Sequence, residues 1–222
     1  MLGGAWGDGQ VDRAYTAAAP ESGGRTIDIA VLASGSGTNL QALLDNDLVR
    51  PHVSVVITDR PGAGALQRAE RAGIGTAVVP WAEFADRDRF SMAVADVVEE
   101  AGAKGVVLAG FMRILSPGFV ERFSERILNV HPSLLPAFPG ADAVAATLEH
   151  GAKVTGVTVH LVEEGVDSGP IVAQVPVEVL SGDTVASLHA RIKDVEHRLY
   201  PRIVAAFVAG RLVVDGRRVE IR

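Results

Sequence analysis

The chain has 222 residues, of which 48% are hydrophobic and 22% are charged, which is enough apolar material for one sizeable core. Its formal net charge of -6, without a run of lysines or arginines, argues against nucleic-acid and membrane partners and favours small-molecule ligands. The sequence contains no cysteine, which excludes disulfides, thiolate metal sites and a cysteine nucleophile and is compatible with a cytoplasmic location.

The first 26 residues are rich in glycine, alanine and polar residues, and we expect them to form a flexible extension. They lack the basic start and the apolar run of a secretion signal. No stretch of the sequence approaches the roughly 18 consecutive apolar residues of a membrane span. We expect residues 27–222 to form a single domain.

From residue 27 onward, short β-branched runs alternate with longer helical patterns, an arrangement typical of βαβ units around a parallel sheet. The predicted strands of this part are Ile27 to Ser34, Val53 to Asp59, Thr76 to Pro80, Gly105 to Phe111 and Ile127 to His131. The predicted helices between them are Leu40 to Asp45, Ala65 to Ala72 and Arg87 to Ala101.

The second part of the chain has a different pattern. A short helix is predicted at Ala141 to Glu149, followed by the strands Val154 to Val162 and Ile171 to Val179. Because no helix separates these two strands, we expect them to pair antiparallel. A long helix from Thr184 to about Ala209, with a kink near Pro201, and a terminal hairpin at Leu212 to Ile221 complete the prediction. The fold class is α/β: a Rossmann-like, mostly parallel twisted sheet with an antiparallel C-terminal strand pair and helices on both faces.

A glycine-rich segment, SGSGTNL, occupies residues 34–40 between the first strand and the first helix. Its glycines permit a tight turn that presents backbone N–H groups at a helix N-terminus, which favours a phosphate. The dinucleotide fingerprint is incomplete because Leu40 stands where a small residue is needed, although Asp59 is placed for a ribose contact. The segment therefore predicts a monophosphate site, with a plain βα turn as the alternative.

Asn129 and His131 lie on one face of a predicted strand, because side chains alternate along it. Their amide and imidazole groups can therefore converge at the carboxyl edge of the sheet, where open α/β sheets bind ligands. The alternative is a structural, hydrogen-bonding histidine.

The segment DSGP begins at Asp167, in the turn between the two antiparallel strands. By itself it is typical of a turn. A carboxylate near His131, however, would keep the imidazole protonated and supply a charged donor for an oxyanion. We predict structural roles for His160, His189 and His197, and no metal, because no His, Asp or Glu set has metal-ligand spacing.

Four motifs in order, SGSGTNLQ, LAGFMRILS, NVHPSLLP and DSGP, are shared with a known enzyme family. Over residues 27–201 the chain resembles the phosphoribosylglycinamide formyltransferases, the folate-dependent glycinamide ribonucleotide transformylases. The resemblance implies transfer of a formyl group from 10-formyltetrahydrofolate, a co-substrate, to the amine of glycinamide ribonucleotide in purine biosynthesis. The partners implied are these small molecules, and a homodimer is compatible with the sequence.

The resemblance also implies site residues. The implied catalytic residues are Asn129, His131 and Asp167. The implied contacts to the ribonucleotide are Gly37, Thr38, Asn39, Lys193 and Glu196. The implied folate contacts are Arg87, Met112, Arg113, Ile114, Leu115, Glu163, Glu164, Gly165 and Val166. Residues 27–125 would then form a phosphate-binding half, and residues 126–222 a folate-binding and catalytic half.

The sequence departs from the family pattern at Asp142, where members usually carry a histidine, and we still expect activity because the three catalytic positions are intact. The nearest alternatives are a 10-formyltetrahydrofolate deformylase and an initiator-tRNA formyltransferase, but the chain leaves no room for their additional domains. A nicotinamide-dependent enzyme is disfavoured by the incomplete fingerprint, and a non-catalytic nucleotide-binding domain by the pair Asn129 and His131.

Overall fold

A computed structural model describes residues 26–222, so the extension expected for residues 1–26 lies outside the described residues except at Thr26. The strands are β1 (Ile29–Leu32), β2 (Val53–Thr58), β3 (Gly75–Val78), β4 (Gly105–Leu108), β5 (Ile127–His131), β6 (Val154–Leu161), β7 (Ile171–Glu178), β8 (Leu212–Asp215) and β9 (Arg218–Ile221). The helices are α1 (Thr38–Leu44), α2 (Gly64–Arg71), α3 (Arg87–Glu100), α4 (Pro117–Arg122), α5 (Ala143–Glu149) and α6 (Val185–Val208).

One sheet of nine strands runs through the described part of the chain, in the order β3-β2-β1-β4-β5-β6-β7-β9-β8. The strands β1 to β5 pair parallel, whereas β6 pairs antiparallel with both β5 and β7. The strand order reverses at β1, which has β2 on one side and β4 on the other. Such a switch point opens a crevice at the carboxyl ends of the strands.

Helices cover both faces of the sheet. On one face, apolar residues of α1, α2 and α6 pack with alternate side chains of the strands, among them Leu40, Ala65 and Leu199. On the other face, α3 and α4 contribute a second cluster around Phe90 and Phe119. Strand β1 is buried on both sides along its whole length, as expected for a central parallel strand. The predicted fold class is confirmed.

The long helix α6 begins at a capping box, in which Thr184 and Ser187 satisfy each other's backbone N–H groups. It continues through the buried Pro201 to Val208, so the proline does not end the helix. Burial of its apolar face offsets the hydrogen bond that proline cannot donate. The terminal hairpin is confirmed as β8 and β9, and it joins the main sheet through the pair Ile171 and Arg218.

Several elements differ from the sequence prediction at their ends, β1 among them, which is four residues long rather than eight. Two further differences concern the segments after β4. Helix α4 was not predicted; its six residues are too few to show a periodic pattern, although Ser116 caps it and Pro117 starts it. Strand β4 ends at Leu108 rather than at Phe111, because the chain leaves the sheet there to form the segment at residues 109–115 beside the crevice. Within residues 26–222, no helix combines the length and the apolarity needed to cross a bilayer.

Candidate active site

The glycine-rich loop, residues 34–39, leaves β1 at the switch point and leads into α1. Gly37 has a φ of 72°, in the left-handed region that favours glycine. A β-carbon at this position would lie 2.8 Å from the Cα of Ala65, so the close approach of α2 also requires glycine. Gly37 is the N-cap of α1, which begins at Thr38, two residues before the predicted start at Leu40. The loop therefore leads directly into a helix N-terminus, the arrangement on which the predicted phosphate site depends.

Asn39 connects this loop to the other end of the chain. Its Nδ2 donates a hydrogen bond of 2.8 Å to Oε2 of Glu196, on α6. Burial raises the pKa of Glu196, although the hydrogen bond from Asn39 and the charge of Lys193 act in the opposite direction. The Oδ1 atom of Asn39 is buried and has no partner among residues 26–222, so it remains an acceptor for a ligand hydroxyl or amine. The hydrogen bond therefore brings together two of the five expected ribonucleotide contacts, Asn39 and Glu196.

His131 ends β5 at the carboxyl edge of the sheet and is 5% exposed. Its Nδ1 lies 3.4 Å from Oδ2 of Asp167, and its Nε2 lies 2.9 Å from the carbonyl oxygen of Phe138. A carbonyl only accepts hydrogen bonds, so Nε2 carries a hydrogen. With a hydrogen on each ring nitrogen, as in imidazolium, His131 would donate to both the Asp167 carboxylate and the Phe138 carbonyl.

Asp167 is held by the loop that follows β5. Its Oδ2 accepts a hydrogen bond of 2.8 Å from the backbone N–H of Gly140. Burial raises the pKa of Asp167, but the neighbouring His160, the Gly140 N–H and His131 together lower it overall, which favours a carboxylate. Asp167 and Phe138 both have positive φ values, 50° and 51°, which non-glycine residues rarely adopt. Such strained backbone is typical of functional sites.

His160, for which the sequence analysis predicted a structural role, lies in contact with two of the expected catalytic residues. It lies on β6 opposite Asn129, and its Nε2 is 3.1 Å from Nδ2 of Asn129 and 3.6 Å from Oδ1 of Asp167. Its Nδ1 is 2.9 Å from the Leu161 carbonyl oxygen. The signal that could have identified His160 is the antiparallel pairing of its strand with the strand that carries Asn129.

The segment at residues 112–115 lies at the end of β4, beside the crevice. The N–H of Met112 donates to Oγ of Ser34, at 2.9 Å. Arg113 Nε donates to the buried Asp59 at 2.7 Å, and its guanidinium lies 5.0 Å from the centre of the Trp81 ring. One oxygen of Asp59, Oδ2, therefore anchors an arginine, whereas its buried Oδ1 has no hydrogen-bond partner among residues 26–222.

The remaining folate residues predicted from the resemblance lie on several separate segments. Met112 and Ile114 are exposed and offer apolar surface, whereas Leu115 is buried. Glu163, Glu164 and Gly165 line a cavity of roughly 580 Å³ together with residues of α4 and the C-terminal hairpin, and no other predicted site residue lines it. Val166 is exposed next to them in the sequence. Two further positions are exposed at helix starts, namely Arg87 at α3 and Asp142 before α5.

The arrangement brings an imidazole, a carboxylate and an amide together at the same sheet edge as the glycine-rich loop. Such groups can stabilise an oxyanion and move a proton. In the described part of the chain, no group of three or more His, Cys, Asp or Glu side chains is arranged to hold a metal ion.

The chain is similar to several known proteins. The family model described as formyl transferase matches residues 27–204. Phosphoribosylglycinamide formyltransferase of Mycobacterium tuberculosis is 45% identical over 201 residues, which are 87% of this chain and 93% of that protein. The trifunctional purine biosynthetic protein adenosine-3 of Gallus gallus is 45% identical over 192 residues, 85% of this chain. The chain spans only about a fifth, 19%, of the length of that protein.

Solved structures show the same likeness. Glycinamide ribonucleotide transformylase 1 from Symbiobacterium toebii superposes with a TM-score of 0.86 and 48% sequence identity, covering 92% of this chain and 99% of that chain. The mixed sheet with its antiparallel pair is therefore a shared architecture.

Proposed function

The chain belongs to the formyl transferase family, and from this premise we propose that it transfers a formyl group from 10-formyltetrahydrofolate to the primary amine of glycinamide ribonucleotide in purine biosynthesis. The observation that carries the proposal is the cluster of Asn129, His131 and Asp167 at the same sheet edge as the loop containing Gly37 to Asn39. The names of the bacterial relatives, which this chain matches over nearly their whole length, support the choice of acceptor.

The first chemical step is attack of the neutral amine nitrogen on the formyl carbon. A new carbon–nitrogen bond forms, and the formyl oxygen becomes an oxyanion. The Asn129 amide and the Nε2 hydrogen of His131 donate to this oxygen, and each such donor contributes about 3 to 4 kcal/mol. In this structure Nε2 donates its hydrogen bond to the carbonyl oxygen of Phe138. When the oxyanion forms, Nε2 exchanges this acceptor for the oxyanion.

The second step breaks the bond between the carbon and the folate nitrogen. The attacking nitrogen, now positively charged, loses a proton, and the departing folate nitrogen gains one. Asp167 has a lowered pKa and lies 3.4 Å from His131, so it stabilises the imidazolium and assists this proton transfer, directly or through water. The formyl group passes directly to the acceptor, and no covalent enzyme intermediate is required.

The two substrates are held by different groups of residues. Gly37, Thr38 and Asn39, with Lys193 and Glu196 of α6, bind the ribonucleotide. The segment at residues 112–115, the loop at residues 163–166 and Arg87 bind the folate. Holding both substrates in the reactive geometry contributes on the order of 7 to 11 kcal/mol.

The decisive experiment measures the absorbance change on release of tetrahydrofolate, with glycinamide ribonucleotide present or omitted. We expect release to require the acceptor, with formylated ribonucleotide accumulating in equal amount. Release that is equally fast without the acceptor, with formate as the product, would instead identify a deformylase. An enzyme that releases no tetrahydrofolate under either condition would contradict both functions.

A further inference from the structure

Two backbone carbonyl groups of the glycine-rich loop are hydrogen-bonded to α2. The N–H of Ala65 donates to the carbonyl oxygen of Gly35 at 3.2 Å. Arg68 Nε donates to the carbonyl oxygen of Ser36 at 2.8 Å. Two successive loop carbonyls are therefore turned towards α2, and the close contact of Gly37 with Ala65 keeps the two elements together.

This arrangement determines where the loop N–H groups point. Both peptide bonds are trans, and in a trans peptide the N–H points opposite to the C=O. The N–H groups of Ser36 and Gly37 therefore point away from α2. Successive N–H groups on one side of a turn form a concave site for an anion, whereas a carbonyl rotated to that side would repel it.

Arg68 is itself held in place, and its charge reaches the same region. Its Nη1 donates to Oε1 of Gln41 at 3.0 Å, on the first turns of α1. Burial lowers the pKa of His197, Asp194 opposes that shift, and the positive charges of Lys193 and Arg68 add to it. Arg68 on α2 and Lys193 on α6 therefore both act electrostatically on His197.

We propose that Arg68 is a positioning residue for the acceptor substrate: by binding the Ser36 carbonyl, it keeps the glycine-rich loop in the orientation that receives the phosphate of the ribonucleotide. This inference rests on the proposed function, since the phosphate concerned is that of glycinamide ribonucleotide. This role could not be predicted from local sequence patterns, because Arg68 lies 32 residues from Ser36 in an ordinary amphipathic helix.

The test compares Arg68→Met with Arg71→Met. Arg71 lies one turn further along α2, and within residues 26–222 its Nε donates to a carbonyl of its own helix, that of Gln67, at 3.1 Å. Both variants lose one surface positive charge, so the pair separates the Ser36 contact from a general charge effect. The KM for each substrate, kcat and the thermal unfolding temperature are measured for both, and Arg68→Lys is added as the conservative variant.

For Arg68→Met we expect the KM for glycinamide ribonucleotide to rise about tenfold, with the folate KM and kcat within about twofold of the wild type. Arg68→Lys, which keeps a donor, should recover most of this loss, and Arg71→Met should resemble the wild type. The inference is wrong if Arg68→Met leaves the ribonucleotide KM unchanged, if Arg71→Met has the same effect, or if both KM values rise together with a loss of stability. A wild-type protein without acceptor-dependent turnover would instead contradict the proposed function.

Discussion

Glu196 is a buried carboxyl group whose ionised form is disfavoured in the folded protein. Burial raises its pKa above the ordinary carboxyl range, despite the hydrogen bond from Asn39 and the charge of Lys193. In the pH range between the ordinary and the raised pKa, the folded chain binds more protons than the unfolded chain. Stability is therefore fully present below the ordinary pKa and falls as the pH rises through the raised pKa.

We expect Glu196→Gln to remove this fall in stability. In urea unfolding between about pH 4 and pH 8, the variant should be more stable than the wild type at the high end and similar at the low end. Its KM for glycinamide ribonucleotide should increase, because the amide replaces a carboxylate acceptor. The exposed Glu149→Gln serves as the control and should leave both properties unchanged. A variant whose stability falls with pH as steeply as that of the wild type would contradict this explanation.

The role proposed for His131 predicts a loss of turnover. His131→Asn retains a donor but cannot carry the positive charge, so kcat should fall by about 10² to 10³, with small changes in both KM values. His52→Asn is a matched control, since His52 also faces a carboxylate, Asp28, at 3.2 Å, but on the surface. Steady-state kinetics on both variants provides the measurement, and near-wild-type turnover of His131→Asn would exclude the mechanism.

Individual residues of the site differ in how far sequence could predict their place. Strand alternation predicted that Asn129 and His131 share a face, and the structure has both in the cluster. The partners of His160 and Asp59 could not be predicted, because each depends on contact between strands or loops far apart in sequence. Asp59 has the position of a ribose-binding acid, and its Oδ2 accepts a hydrogen bond from the distant Arg113.

At the scale of elements, Thr158 on β6 holds the loop after β5 by hydrogen bonds to its backbone. Its Oγ1 donates to the Ser133 carbonyl at 2.6 Å and accepts from the N–H of Leu135 at 3.0 Å. Gln174 on β7 donates to the same Oγ1 and to the Leu135 carbonyl. The same loop continues to the Phe138 carbonyl and the Gly140 N–H, so Thr158 indirectly positions His131 and Asp167.

We expect Thr158→Val to lower the free energy of unfolding by about 3 kcal/mol, since two buried backbone groups lose their partner at about 1 to 3 kcal/mol each. Its kcat should fall by about one order of magnitude or more, because small displacements of reacting groups are costly. Thr155→Val is the control on the same strand, where the hydroxyl has one long contact, 3.4 Å to Thr147. Urea unfolding and kcat are the measurements, and equal effects in the two variants would exclude the role of Thr158.

The elements with long or strongly patterned sequences were predicted well. Strand β5 has the bounds that the sequence suggested, and α3 and α6 agree to within a residue or two at their ends. Helix α4 was missed, since in six residues capping is the main signal and Ser-Pro is equally typical of a turn. The 3₁₀ turns at Arg50–His52 and Trp81–Glu83 carry no periodic pattern at all.

At the scale of the whole molecule, the sheet brings distant parts of the chain to one edge. Asn39 and Glu196, which are 157 residues apart, are hydrogen-bonded across α1 and α6. The change from parallel to antiparallel pairing after β5 returns the chain directly to the crevice, and the turn between β6 and β7 places Asp167 beside His131. Strand order of this kind follows from packing of the complete chain, so local patterns could indicate the fold class but not these contacts.

The hydrogen bond between His131 and the Phe138 carbonyl has a consequence for selectivity. With His131 as the donor that we propose, the formyl oxygen gains its hydrogen bond by exchange with a peptide group rather than by addition. A neutral carbonyl oxygen would gain little from exchanging with another neutral carbonyl, whereas an oxygen bearing a full negative charge would gain much more. The exchange of acceptors thereby discriminates between the substrate and the transition state. The His131 hydrogen bond lowers the activation barrier without strengthening the binding of the substrate.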